Sequence, residues 1–154
     1  MTSTQAPNLT GRRVLVTGAG GFIGSHLVEH LVETGATVRA LVRYTSRGTA
    51  GFLDASDRAE GVDVVLGDLR DPDAVRQAMA DVELVFHLGA LIGIPYSYLH
   101  PQETVDTNVL GTLNVLLASR DAGVQRVIHT SSSEVYGTAQ SVPMDETHPL
   151  HGQS

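Results

Sequence analysis

Three glycines spaced at intervals of three residues constrain this chain more than any other feature. An apolar run at 12–17 ends at Gly18, and an amphipathic stretch begins around Gly21 and Gly24. Glycine allows a tight turn from strand to helix and lets the backbone approach a ligand closely. The arrangement predicts a phosphate-binding turn, in which N–H groups at the start of a helix face a pyrophosphate. The expected cofactor-binding residues of this turn are Gly18, Gly21, Phe22, Ile23 and Gly24.

Short apolar runs alternate with amphipathic stretches along the rest of the chain, which is typical of βα units around a parallel sheet. The predicted strands are 12–17, 37–42, 62–66, 83–87 and 125–130. The predicted helices are 21–34, a short one near 50–56, one that begins at Asp71, and 101–122. We therefore predict an α/β fold, a Rossmann-type doubly wound parallel sheet with strand order 3-2-1-4-5. A disordered tail over 1–11 would precede a single NAD(P)-binding domain over 12–154.

The composition limits the classes of partner. The 154 residues include 17 acidic and 10 basic side chains, all of the latter arginines, for a formal net charge of −7. This charge disfavours binding to nucleic acid and to anionic membranes. The sequence has no cysteine, no apolar leader, and no run of about 18 apolar residues. We expect a soluble, cytoplasmic protein without a metal site.

The end of the second predicted strand bears on the identity of the nucleotide. In NAD-binding versions of this fold, an acidic residue about 20 residues past the glycine turn binds the ribose 2′-OH. Here the stretch 41–47 (LVRYTSR) has no acid and contains Arg43 and Arg47. Because a guanidinium suits a 2′-phosphate, NADP is favoured over NAD as the cofactor. The alternative is that both arginines are solvated surface charges.

Two further segments follow predicted strands and would lie along the cofactor. Asp68 and Leu69 follow the third strand, where a carboxylate can accept a hydrogen bond from the adenine amine. An aspartate that only forms a turn before a helix would give the same pattern. Leu88, Gly89 and Ala90 follow the fourth strand beside the glycine turn, where small residues such as Gly89 and Ala90 would let the cofactor pass.

Five motifs occur in the order in which one protein family carries them. They are TGAGGFIG at 17–24, GDLR at 67–70, HLGA at 87–90, NVLGT at 108–112 and SSSEVYG at 131–137. Together they resemble the extended short-chain dehydrogenase/reductases that act on nucleotide sugars. The resemblance implies that Asp68 contacts adenine, that Asn108 supports the active site, and that the Ser132 hydroxyl binds the sugar. It also implies a nucleotide-sugar substrate and a homodimeric parent enzyme. Without the resemblance, Asn108 would be a polar residue whose hydrogen bonds are satisfied within the surroundings of its helix, and Ser132 would cap a turn.

The residues Ser132, Ser133 and Glu134 distinguish the subfamilies that the chain resembles. The 4,6-dehydratases carry a hydroxyl residue, then Asp or Ser, and then Glu after the fifth strand, whereas many 4-epimerases have alanine in place of Glu. Once C4 of the sugar is oxidised to a ketone, the C5 proton is acidic, and a carboxylate can remove it as water leaves C6. The cofactor then returns its hydride to C6. The resemblance therefore implies an NAD(P)-dependent nucleotide-sugar 4,6-dehydratase with Ser132, Ser133 and Glu134 as catalytic residues.

Other functions remain open on the sequence. Nucleotide-sugar decarboxylases resemble the same pattern, including the glutamate, and a 4-epimerase shares the cofactor motifs. A non-catalytic module that senses NADP is an alternative of another class. Glu134 and Ser132 favour an enzyme over such a module, because a sensor has no use for a base and a hydroxyl that face a sugar.

One motif of the family has no counterpart in the sequence. The family carries Tyr-x-x-x-Lys in the helix after the fifth strand, but this chain has no lysine, and its four tyrosines all precede the expected place. We therefore expect an N-terminal fragment that is inactive by itself. The fifth strand and the helix 101–122 would then expose apolar side chains and make the chain prone to association. These side chains are Val109, Leu113, Leu116, Val127 and Ile128.

Overall fold

Five parallel strands pair side by side in the order β3-β2-β1-β4-β5 in the computed structural model, which describes residues 8–152. The strands are β1 (Arg13–Thr17), β2 (Thr37–Val42), β3 (Asp63–Leu66), β4 (Leu84–His87) and β5 (Arg126–His129). The helices are α1 (Phe22–Glu33), α2 (Pro72–Ala78), α3 (Ile94–Leu99), α4 (Pro101–Val105) and α5 (Gly111–Asp121). A 3₁₀ turn at Gly51–Ala55 lies where a short helix is predicted. The Rossmann-type sheet and its strand order are confirmed.

Helices cover both faces of the sheet, and the central strand β1 is buried on each. Because successive side chains of a strand point to opposite faces, Val16 joins one apolar cluster and Leu15 the other. Helix α1 packs into the first cluster through Val28. Helices α2 and α5 pack into the second through Val75 and Val115. Burial on both faces leaves the edge at the strand ends as the place for a ligand.

The helix ends follow from local side-chain chemistry. Gly35 (φ +82°) follows α1 and Gly123 (φ +70°) follows α5, each in the left-handed conformation that glycine adopts easily. Helix α2 begins at Asp71, whose carboxylate accepts hydrogen bonds from the N–H groups of Asp73 (2.9 Å) and Ala74 (3.3 Å). The predicted start of this helix at Asp71 is confirmed.

Three local elements differ from the prediction. The helix predicted over 101–122 contains a π-helical turn, Asp106–Leu110, between α4 and α5. Helix α3 and a 3₁₀ turn at Ser133–Tyr136 were not predicted. A π turn adds one residue within a continuous helix, and α3 is six residues long with no buried residue. Neither feature therefore gives the sequence a helical spacing of apolar residues by which it could be predicted.

Part of the predicted tail is attached to the domain. Leu9 packs against the α1 side of the sheet, and the Thr10 hydroxyl donates to the Thr34 carbonyl at 3.2 Å. The Gly11 N–H donates to the Gly35 carbonyl at 2.8 Å. The predicted tail before residue 8 lies outside the described residues.

An apolar surface lies on the π turn and α5, where exposure was predicted. Val109, Leu113 and Leu116 are 58%, 47% and 48% exposed. On the edge strand β5, Ile128 is also exposed. Within residues 8–152, no helix is both long enough and apolar enough to cross a membrane.

Candidate functional site

A cavity of about 750 Å³ opens at the carboxyl ends of the strands. It lies where the chain order of the sheet reverses, with β1 flanked by β2 on one side and β4 on the other. In open α/β sheets this crevice is the usual ligand site. Its walls come from the turn after β1, the segments after β2, β3 and β4, and the loop after β5.

The glycine turn forms the floor of the cavity, and its close packing requires glycine. Gly18 has φ +68°, and a Cβ there would lie 2.8 Å from the Gly89 nitrogen. A Cβ on Gly24 would overlap the Gly18 carbonyl oxygen. Gly18, Gly21 and Gly24 line the cavity together with the exposed side chains of Phe22 and Ile23. All five predicted residues of this turn therefore meet at one surface.

The start of α1 is suited to an anion. Its first N–H groups have no acceptor within the helix, no side chain caps them, and no acidic residue occupies the first turn. Helix α2 differs, because the Asp71 carboxylate caps it and Asp73 lies in its first turn. An uncapped start beside a glycine cradle fits the pyrophosphate of a dinucleotide. The residues present thus fit an NAD-type cofactor.

Ionised side chains follow β2 and β3 at one end of the cavity. Asp68 lines the cavity beside Leu69 and accepts from Arg70 through both oxygens (Nε–Oδ1 3.0 Å, Nη2–Oδ2 2.7 Å). These hydrogen bonds hold the pKa of the Asp68 carboxyl below its usual range. Arg43 also lines the cavity, and its Nε lies 3.8 Å from Asp68. Arg47 lies in an exposed turn and lines neither this cavity nor a smaller one of about 250 Å³ beside the glycine turn.

The segment after β4 forms the opposite wall. Leu88, Gly89 and Ala90 all line the cavity, as predicted. A Cβ on Gly89 would lie 2.7 Å from the Leu69 side chain, so the glycine allows the two walls to approach.

Asn108 lies behind the segment after β4 and does not line the cavity. Its Oδ1 accepts from the Leu91 N–H at 2.8 Å, and its Nδ2 donates to the Leu91 carbonyl at 2.9 Å. The π turn thereby fixes the backbone of Leu91, which does line the cavity. The neighbouring Thr107 reaches the cavity itself. The geometry supports the predicted supporting role of Asn108, which remains a proposal.

A buried histidine on β4 forms hydrogen bonds to side chains of β1 and α5. His87 is 1% exposed; its Nδ1 lies 2.7 Å from the Thr17 hydroxyl and its Nε2 lies 3.0 Å from the Thr112 hydroxyl. Thr112 donates its own proton to the Asn108 carbonyl, so it accepts from Nε2–H, and Nδ1 accepts from Thr17. Burial, with a smaller contribution from the nearby His129, lowers the pKa of His87 to about 4. The imidazole is therefore neutral at physiological pH.

The loop after β5 carries the predicted catalytic residues. Ser132 lines the cavity, and its Oγ accepts from the Glu134 N–H at 3.2 Å to cap the 3₁₀ turn. The capping interpretation of Ser132 is thus confirmed, while the Ser132 O–H can still donate elsewhere. Ser133 and Glu134 are exposed on the same turn and are outside the set of residues that line the cavity.

Comparison with known proteins shows the family of this chain. The family described as GDP-mannose 4,6 dehydratase matches residues 15–154. The chain belongs to this family of extended short-chain dehydrogenase/reductases. The UDP-glucose 4-epimerase of Mycolicibacterium smegmatis is 39% identical over 144 residues, which is 92% of this chain and 46% of that protein.

Two solved structures of similar proteins contain NAD. The UDP-glucose 4-epimerase of Stenotrophomonas maltophila, with NAD and formylated UDP-arabinopyranose, is 31% identical with a TM-score of 0.80. The alignment covers 93% of this chain and 44% of that one. The dTDP-glucose 4,6-dehydratase of Streptomyces venezuelae, with NAD and TYD, is 34% identical with a TM-score of 0.78. This alignment covers 91% of this chain and 45% of the dehydratase chain. This short-chain dehydrogenase/reductase chain therefore spans less than half the length of these relatives.

Several cavity residues of this short-chain dehydrogenase/reductase were not predicted. Leu91, Ile92 and Thr130 continue segments that leave predicted strands, and the rule that ligands bind at carboxyl strand ends would have included them. Thr107 carried no such signal, because the π turn that brings it to the cavity has no sequence signature. The other cavity residues outside the prediction are Leu41, Gly67 and Ser131.

Proposed function

We propose that the whole protein is an NAD(P)-dependent nucleotide-sugar 4,6-dehydratase and that this chain supplies its cofactor-binding part. The observation that carries the proposal is the loop after β5. There Ser132 borders the cofactor cavity, and Glu134 lies two residues further on the same capped turn. This pair places a hydroxyl and a carboxylate on the loop that borders the cavity, and a carboxylate is the group that removal of the C5 proton requires.

Each group has a defined part in the proposed reaction. A bound NAD(P) supplies reversible hydride transfer. The Glu134 carboxylate removes the C5 proton once C4 is a ketone, because the ketone makes that proton acidic. The C6–O bond then breaks, and the C6 hydroxyl takes up a proton and leaves as water. The Ser132 O–H donates to the sugar while its oxygen accepts the Glu134 N–H, so the cap and the substrate contact coexist.

The variant Glu134→Gln in the full-length protein tests this assignment. Gln keeps the shape and removes the base. We expect oxidation at C4, seen as accumulation of reduced cofactor, without formation of a 4-keto-6-deoxy sugar. Glu146→Gln, an exposed change further along the same segment, is the matched control. If Glu134→Gln formed the deoxy sugar at the rate of the unchanged protein, Glu134 would not be the base.

We further propose NADP as the preferred nucleotide. No acidic side chain stands at the end of β2, whereas Arg43 lines the main cavity. Arg43 also lines a second cavity of about 250 Å³ that adjoins the glycine turn and includes Thr45 and Thr49. A guanidinium and two hydroxyls form a suitable donor set for a 2′-phosphate. Arg43→Gln should therefore weaken NADP binding at least several-fold and leave NAD binding nearly unchanged, with Arg47→Gln as the control.

A 4-epimerase is the second candidate, and the similarity to two UDP-glucose 4-epimerases favours it. The two reactions share oxidation at C4 but differ afterwards, because an epimerase returns the hydride to C4 and needs no base at C5. Product analysis with nucleotide sugars separates them. A 4-keto-6-deoxy product supports the dehydratase, and an isomer of unchanged composition supports the epimerase.

The apolar surface on the π turn and α5 supports a homodimer of the whole protein. Val109, Leu113 and Leu116 are each about half exposed, and a second copy that covered them would bury this apolar area. Leu113→Glu should shift the full-length protein toward the monomer in light scattering. A monomeric unchanged protein at high concentration would contradict the proposal.

A further inference from the structure

The carboxylate of Glu103 is the centre of an ionic network beside the nucleotide site. One oxygen, Oε1, accepts from Arg43 Nη2 and from Arg70 Nη1, each at 3.2 Å. The other, Oε2, accepts from the Tyr96 hydroxyl at 2.6 Å. Glu103 thus connects α4 and α3 to the side chains that follow β2 and β3.

This network neutralises the one cationic side chain that lines the main cavity or the smaller second cavity, both within residues 8–152. That side chain is Arg43, which lies between the carboxylates of Asp68 (3.8 Å) and Glu103 (3.2 Å). The second guanidinium, Arg70, contacts the same two acids at 2.7 and 3.2 Å. Two positive and two negative charges give a local sum of zero. A 2′-phosphate that approached Arg43 would therefore also meet the negative charge of Glu103.

We propose that Glu103 is a specificity-determining residue that restrains Arg43 and limits how strongly this site prefers NADP to NAD. The inference rests on the proposed nucleotide site and deepens it. The phosphate of NADP is repelled by the Glu103 carboxylate and competes with it for Arg43, whereas the neutral 2′-OH of NAD is indifferent to both. Removal of the Glu103 charge leaves the network with one net positive charge, which favours the phosphate.

The test compares NADP and NAD binding to the full-length protein by titration calorimetry. Glu103→Gln keeps the length and one acceptor oxygen but removes the charge. We expect its dissociation constant for NADP to fall about three- to tenfold, while that for NAD stays within about twofold. Because these side chains are partly exposed, the effect should shrink when ionic strength rises from about 0.05 to about 0.5 M.

Three further variants separate this role from a merely structural one. Tyr96→Phe removes the hydrogen bond to Glu103 without changing a charge. The ratio of the NADP affinity to the NAD affinity (the NADP/NAD ratio) should therefore hardly change. Glu60→Gln is an exposed change just before the amino end of β3, away from the carboxyl ends of the strands where the site lies, and it controls for global charge. In an Arg43→Gln background, Glu103→Gln should raise the NADP affinity relative to the NAD affinity much less, because only the direct repulsion of the phosphate is left once Arg43 is absent.

The inference and the proposed function fail in different ways. A protein that binds NAD better than NADP would contradict the proposed NADP preference, yet Glu103→Gln would still have to raise the NADP/NAD ratio. An unchanged ratio in Glu103→Gln, or the same rise with and without Arg43, would overturn the role of Glu103. Absence of binding of either nucleotide would overturn both.

Discussion

The buried imidazole of His87 should make the stability of the protein fall as the pH is lowered from 7 to 5. The folded state holds the pKa of His87 at about 4, against 6.5 for an ordinary histidine. Between these two values the unfolded chain binds a proton that the folded chain does not, so stability rises with pH. His87 contributes fully above pH 6.5, and its contribution is lost as the pH falls toward 4.

The size of this effect follows from the linkage relation. At about 1.4 kcal/mol per pKa unit, the whole difference is worth roughly 3 kcal/mol, of which about 2 kcal/mol should be lost between pH 7 and pH 5. The physical cause is that a protonated Nδ1 can no longer accept from Thr17, and a charge would lie among buried groups. Restricting the window to pH above 5 limits interference from carboxyl groups, which titrate below it.

Urea unfolding followed by circular dichroism at several pH values measures the effect. The unchanged protein should lose about 2 kcal/mol of unfolding free energy over the window. His87→Gln has an amide but no titratable ring. This variant should be less stable at pH 7, and its unfolding free energy should change much less with pH. His151→Gln, an exposed control, should retain the full dependence. If His87→Gln and the unchanged protein lost the same free energy, the account of His87 would be wrong.

Two substitutions test other contacts. Gly24→Ala should abolish nucleotide binding and destabilise the fold by at least about 2 kcal/mol, since its Cβ would overlap the Gly18 carbonyl; a variant with unchanged thermal unfolding and unchanged nucleotide affinity would contradict this packing. Asp71→Ala removes the α2 cap from the N–H groups of Asp73 and Ala74 and should cost about 1 kcal/mol of unfolding free energy without changing nucleotide affinity. Loss of nucleotide affinity in Asp71→Ala would show that α2 bears on the cofactor site.

The fold could be predicted because its determinants are local. Strand and helix periods, the Asp71 cap and the terminal Gly35 each act within a few residues, and the glycine turn sets the β1–α1 connection. The right-handed crossover between parallel strands and the order of the βα units then leave few possible sheet topologies. The carboxyl edge of such a sheet collects the residues that follow the strands, which is why Asp68 and Gly89 were found by sequence.

The remaining features depend on contacts between distant segments. Glu103 and Arg43 are 60 residues apart in the chain and meet only after α4 packs near β2. His87 was predicted only as the end of a strand, because its bonds to Thr17 and Thr112 need the folded sheet and helix. The π turn that aims Asn108 at Leu91 gives no periodic signal either.

The central claim, elimination rather than epimerisation, is tested most directly by turnover of nucleotide sugars in deuterated water. The full-length protein with NAD(P) should give a 4-keto-6-deoxy sugar that has lost one water and carries deuterium from the solvent at C5, because Glu134 exchanges the C5 proton. Mass spectrometry and proton NMR of the product read both changes. An isomeric sugar of unchanged composition without deuterium would contradict the account and identify a 4-epimerase, and a product that had lost carbon dioxide would identify a decarboxylase.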